Sequence, residues 1–212
     1  MLLIFDWDGT LSNSTGRIVA AMQQAAQHFG APEPTETAVR NVIGLGLPEA
    51  MEIVFPQQSR EEQDELRELY SRCYVELDRE PSGLFPGAME TMESLRSAGH
   101  SLAVATGKGR RGLNRVLAGL GLGDFFDATR CADETASKPD PKMIFELLEE
   151  LDFQAVNSLV IGDSIYDLEM AARAGVASVG VSYGVHSAEQ LHLHGPLAVI
   201  DAMDQLPGYV AN

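Results

Sequence analysis

From residue 82 onward the chain alternates short apolar runs with amphipathic stretches, and no other feature restricts its fold as strongly. Strand-like runs at Ser101–Ala105, Ser158–Ile161 and Ala177–Val181 are joined by weaker ones near Phe126–Thr129 and Ala198–Ile200. Helical patterns near 88–98, 109–120, 141–151 and 165–174 separate them. This is the signature of βαβ units, hence of a parallel sheet covered by helices. The first strand lies far upstream: Met1 to Phe5 (MLLIF) is an apolar run suited to a strand buried on both faces.

The sequence between is of another kind. Ile18, Met22, Ala25, Ala26 and Phe29 recur at helical spacing and stop at Gly30, and Ala31-Pro32-Glu33-Pro34 reads as a connector. Ser59 to Asp78 gives the clearest helix, with Ser59 and Glu62 as a capping box. Leu66, Leu69, Tyr70, Cys73, Tyr74 and Leu77 form its apolar stripe, and the tyrosines read as core. Pro81-Ser82-Gly83 and Pro86-Gly87 mark a boundary. The expected organisation is an α/β domain of residues 1–13 and 82–212 with an all-helical insert at 14–81.

Charge narrows the partners. Fifteen basic residues against 31 acidic give −16, a balance that repels nucleic acid and anionic membranes. An anionic substrate then needs a local positive device. Lys108, Lys138 and Lys142, the lysines of the chain, all lie in Gly- or Pro-marked stretches. Cys73 and Cys131 are too few for a disulfide framework and read as reduced thiols. Asp6 and Asp8 interrupt the apolar start too early for a secretory leader, so a cytoplasmic protein is expected.

Ligands of parallel α/β sheets bind beyond the carboxyl ends of the strands. Here LLIF ends in Asp6, LAVA in Thr106 and LVIG in Asp163, while Lys138 sits in the loop after the weaker strand. Each residue alone reads as a helix cap or a turn; their joint occurrence in this order does not. Asp6 and Asp8, two residues apart and followed by a turn at Gly9, can divide two tasks between them. With Asp163 and Asp167 they make an oxygen-rich site suited to Mg²⁺. Four clustered carboxylates repel one another without a cation, so the metal solves a problem the sequence creates. Asp167 has a competing role, complementing a helix dipole. Lys138 can neutralise Asp6 and an incoming phosphoryl group, and Thr106 with Gly107 offers a hydroxyl and amides to phosphate oxygens.

These segments resemble the haloacid dehalogenase superfamily of phosphohydrolases, in the branch similar to phosphoglycolate phosphatases. FDWDGTLSNS, VATGK, SKPDP and IGDSIYDLEMA are similar to its four motifs, in its order and across the whole core domain. The resemblance implies a Rossmann-like sheet, with the 14–81 insert as a mobile helical cap. It implies Asp6 as nucleophile and magnesium ligand, passing through an aspartyl-phosphate. Asp8 becomes general acid then base, and a metal ligand through its carbonyl. Thr106 becomes a phosphoryl ligand, Lys138 the neutralising charge, and Asp163 and Asp167 the metal's other support. Family members cleaving carbon–halogen or carbon–phosphorus bonds lack an acid at the position of Asp8, so phosphate-ester chemistry is expected. Gly107 departs from the pattern, since many relatives carry Asn there.

The expected substrate is a small phosphorylated metabolite: a phosphoglycolate-like ester, a sugar phosphate or a nucleotide. A β-phosphoglucomutase-like mutase and a pyrophosphatase share the motifs. A receiver domain of signalling proteins combines similar residues, but in another order and without a helical insert of this kind. Selectivity is expected from the Arg40–Gly46 stretch, with Arg40, Gly107 and Lys108 as candidate substrate contacts. The sequence sets no oligomeric state.

Overall fold

The structure, a computed structural model, describes residues 1–79 and 82–210. Pro81, read as part of the boundary, lies outside the described residues. Six parallel strands form one sheet: β1 (Leu2–Phe5), β2 (Ser101–Thr106), β3 (Ala128–Cys131), β4 (Ser158–Gly162), β5 (Ala177–Val181) and β6 (Ala198–Ile200). Their order is β3-β2-β1-β4-β5-β6. The order reverses at β1, which pairs with β2 on one side and β4 on the other. That reversal opens a crevice where parallel sheets bind ligands.

Strand alternation builds two cores. Leu3 and Phe5 point into one cluster with Val104, Ile161 and Val179, whereas Leu2 and Ile4 point into the other with Ala103 and Val160. Five helices cover the faces: α5 (Ala88–Ser97), α6 (Arg110–Gly119), α7 (Lys142–Glu150), α8 (Ile165–Ala174) and α9 (Ala188–His192). The third strand begins two residues later than expected, at Ala128, because Phe125 and Phe126 pack on the core from the preceding loop.

Between β1 and α5 the chain forms α1 (Thr15–Phe29), α2 (Glu36–Arg40), α3 (Leu47–Val54) and α4 (Arg60–Leu77). Gly30, in the left-handed region at φ 85°, closes α1. Ser59 and Glu62 form both halves of the capping box on α4, an arrangement typically worth about 1 kcal/mol. Ile18, Met22, Val39, Met51, Phe55, Leu66 and Cys73 give these helices a hydrophobic cluster of their own. Among the described residues no helix is long and apolar enough to cross a membrane.

Candidate active site

The crevice at the reversal point is floored by carboxylates. Asp6 follows β1 directly, Asp163 follows β4, and Asp167 sits in the first turn of α8. One oxygen from each lies within 4.8 Å of the others, and all three residues are buried. Lys138 reaches into the cluster from its loop, its Nζ donating to Asp6 Oδ1 at 2.5 Å and to Asp167 Oδ1 at 2.6 Å. Asp163 is held from two sides, accepting from Thr10 Oγ1 at 2.9 Å and from the Val185 amide at 2.8 Å. Asp167 also closes a capping box with Ser164, so its helix role and its place at the floor coexist.

Backbone freedom makes the crowding possible. Gly9 turns the chain at φ 94°, and a Cβ there would lie 2.2 Å from Asp163 Oδ2. Only glycine satisfies both demands at once.

Burial pushes Asp6 well above the ordinary carboxylate range; Lys138 opposes it, and Asp167 and Asp163 reinforce it. Burial first, then Asp167, pushes Asp163 up to about 7. Burial alone would lower the Lys138 ammonium, but Asp167 and Asp6 outweigh it and the group is raised. Three acids thus share one ammonium. Asp6 Oδ2 is buried and has no hydrogen-bond partner among the described residues. An orphaned oxygen in a crowd of carboxylates is what a bound cation satisfies, so the donor set fits a hard metal ion.

Above the floor lies a cavity of about 1280 Å³. Its walls come from both halves of the chain: Asp6, Asp8, Thr106, Gly107 and Lys108 below, and Val42–Leu47, Tyr70 and Tyr74 above. Asp8 points away from the metal-type cluster. Its Oδ1 accepts from Ser14 Oγ at 2.6 Å, and its Oδ2 pairs with Lys108 Nζ at 3.0 Å. Burial works against the Lys108 charge, yet Asp8 raises the ammonium overall. Thr106 Oγ1 accepts from the Lys108 amide at 3.1 Å, which leaves its own proton free to donate. Gly107 is pressed by the upper wall: a Cβ there would lie 2.3 Å from the Leu45 carbonyl oxygen and 2.6 Å from that of Gly44.

One expectation needs correction and another needs extending. Arg40 is not among the described residues lining the cavity; its Nη2 donates to the Gly184 carbonyl at 2.9 Å and fastens the helical segment to the loop after β5. Tyr70 and Tyr74, read as core, belong to the apolar cluster of α1–α4 and also form cavity wall. Helical spacing gives the buried face of a helix but not which part of that face meets a second domain-sized body.

Sequence reasoning passed over Thr10 and Ser14, although both hydroxyls stand inside the FDWDGTLSNS segment. Their spacing from the acids was the available signal. Asp78 was also missed. It is buried at the end of α4 and binds Arg17, Arg115 and Ser82 at once. Nothing local to its sequence announces this.

A family profile described as haloacid dehalogenase-like hydrolase matches residues 3–181. A probable phosphatase named IndB from Dickeya dadantii is 33% identical over 98% of this chain and 92% of its own length. A phosphoglycolate phosphatase from Vibrio vulnificus is 33% identical over 97% of this chain and 93% of its own. Among solved structures, a hydrolase from Pseudomonas syringae aligns along the whole of both chains with a TM-score of 0.90 at 25% identity.

Proposed function

Since the chain belongs to the haloacid dehalogenase-like hydrolases and is a phosphatase of that family, we propose that it hydrolyses a small phosphate monoester through a covalent phosphate on Asp6. One observation carries this reading. Lys138 fixes Asp6 on the cavity floor at 2.5 Å while the second Asp6 oxygen, buried, has no partner among the described residues, so the protein leaves the bonding of this carboxylate incomplete.

Asp6 attacks phosphorus, the ester P–O bond breaks, and the Asp8 carboxyl gives its proton to the departing alkoxide. A water then attacks the aspartyl-phosphate, Asp8 takes its proton, and the bond to Asp6 breaks to free inorganic phosphate. Thr106 donates a hydrogen bond to the phosphoryl oxygens, and Lys138 offsets the charge gathered around them. Positioning and charge neutralisation supply most of the catalysis in phosphoryl transfer. Mg²⁺ is the proposed cofactor: Asp6, Asp163 and the Asp8 carbonyl would hold it, with Asp167 in support. When bound it supplies Lewis-acid polarisation and offsets the repulsion of the acids.

The helical segment acts as a cap over the 1–13 and 82–212 core, and its Val42–Leu47 wall faces the leaving group. Lys108, 3.0 Å from Asp8, lies where it can meet an anion carried near the ester oxygen. This favours a phosphoglycolate-like substrate, in keeping with the Vibrio relative.

The test is phosphate release from phosphoglycolate, sugar phosphates, nucleotides and pyrophosphate, with and without Mg²⁺. Metal-dependent, stoichiometric release from a monoester is expected. Isomerisation of a sugar phosphate without net phosphate release, dependent on a bisphosphate activator, would make the protein a mutase, and full activity of Asp6→Asn protein would end the mechanism.

A further inference from the structure

Around the far side of the cavity the charged groups close into a ring. Lys108 Nζ, paired with Asp8 Oδ2 at 3.0 Å, sits 4.7 Å from the centre of the Tyr74 ring. Arg115 of α6 places its guanidinium carbon 5.6 Å from the centre of the same ring. Arg115 then donates to Asp78, Nη2 to Oδ2 at 2.7 Å and Nη1 to the backbone carbonyl at 3.1 Å. Asp78 Oδ1 accepts from Arg17 of α1 at 2.5 Å and from the Ser82 amide at 3.1 Å. The Arg17 amide is bonded to the Ser14 carbonyl at 3.0 Å, and Ser14 Oγ returns to Asp8 at 2.6 Å. Ser14 and Ser82 stand where the chain enters and leaves the helical segment.

The consequence concerns Asp8. Both of its oxygens are fixed by groups that depend on the root of the cap, one directly through Ser14 and one through Lys108. An ammonium on a flexible four-carbon stem does not hold one place by itself; the negative face of an aromatic ring gives it a seat. Tyr74 is that seat. Asp78, whose amide is bonded to the Tyr74 carbonyl at 2.9 Å, fastens the turn carrying Tyr74 to α1, to α6 and to Ser82 at the exit from the cap. We propose that Tyr74 and Asp78 are positioning residues for Asp8, acting through Lys108. The inference rests on the acid role given to Asp8 above. It assigns to the end of α4 a part in leaving-group protonation that neither residue performs by touching substrate.

Leaving-group dependence distinguishes this from a structural role. p-Nitrophenolate departs without a proton, whereas an alkoxide needs one, so a misplaced acid slows the first step, transfer of the phosphoryl group to Asp6, selectively for alkyl esters. The second step uses Asp8 as base for either ester, so the readout is single-turnover release of the leaving group. Tyr74→Leu is expected to lower the single-turnover rate of alcohol release from glycerol phosphate, an alkyl ester without a second anion for Lys108 to meet, by roughly 10- to 100-fold, with little change in the single-turnover release of p-nitrophenolate from p-nitrophenyl phosphate. Tyr74→Phe keeps the ring face and restores the alkyl-ester rate. In a Lys108→Met background Tyr74→Leu adds little, because the two residues act in series. Asp78→Asn, which keeps the shape of the side chain, shows the same selective loss to a smaller extent and carries the test should Tyr74→Leu fail to fold. Equal loss in the release of both leaving groups, or none, overturns the proposal where Asp8→Ala itself is selective for the alkyl ester in the same measurement. Should Asp8→Ala slow single-turnover release of both leaving groups equally, the acid role of Asp8 falls first and this positioning falls with it.

Discussion

The acidic floor of the cavity and the joint at the root of the cap treat buried charge in opposite ways. At the floor Asp6, Asp163 and Asp167 share a single ammonium, and one oxygen of Asp6 has no partner among the described residues. At the joint Asp78 alone receives two guanidiniums as well as the Ser82 amide. Burial drives Asp6 and Asp163 upward because the protein has not offset their charge. The joint is completed by the protein itself and so specifies one geometry. The floor is left incomplete, and in the proposed mechanism a cation and a phosphoryl group finish it. Groups that destabilise the empty protein are kept where they do chemistry.

The largest expected effect is on activity. Asp6→Asn removes essentially all turnover, since an amide cannot form the acyl-phosphate, while thermal unfolding shows a melting temperature no lower than that of the parent protein. Asp78→Ala does the reverse to stability. Breaking a buried ion pair typically costs about 3–5 kcal/mol. The Arg17 and Arg115 side chains are 34% and 31% exposed, so water recovers part of that, and a loss of about 2–3 kcal/mol in urea unfolding is expected. An Asp78→Ala protein as stable as its parent would erase the contrast between the two regions.

How much of this could be read from the chain follows the same division. The floor was legible because parallel sheets gather chemistry at strand ends, and Asp6, Thr106 and Asp163 each stand at one. Strands β2, β4 and β5 came within a residue of their observed bounds because they lie inside the sheet, where almost every residue is buried on either face. The edge strand β3 carries half-buried Thr129 and Arg130, and that weaker pattern let the reading slide onto Phe126. Helices α2 and α9, five residues each, are too short to show a period. The joint was invisible. Asp78, Arg115 and Arg17 look like solvated charges until the cap folds back on α6, and Arg40 was aimed at substrate because no local pattern points to the Gly184 carbonyl.

Two smaller effects sharpen the contrast. Adding Mg²⁺ to metal-free protein is expected to raise its stability by about 2.7 kcal/mol at a hundred times the dissociation constant, measured as a shift in thermal unfolding. Asp163→Asn tests why. Its Oδ1 now accepts from the Thr10 hydroxyl and its Oδ2 from the Val185 amide. An asparagine can keep the amide as donor to its oxygen and turn its own NH₂ toward Thr10, whose hydroxyl accepts as readily as it donates. No hydrogen bond is then lost, and one charge leaves a crowd of three. Metal-free Asp163→Asn protein should therefore be more stable than its parent by about 0.5–2 kcal/mol, while its response to Mg²⁺ flattens and its turnover collapses. Were the same substitution to destabilise the metal-free protein, the floor would be a satisfied network like the joint, and its repulsion would not be what the cation relieves.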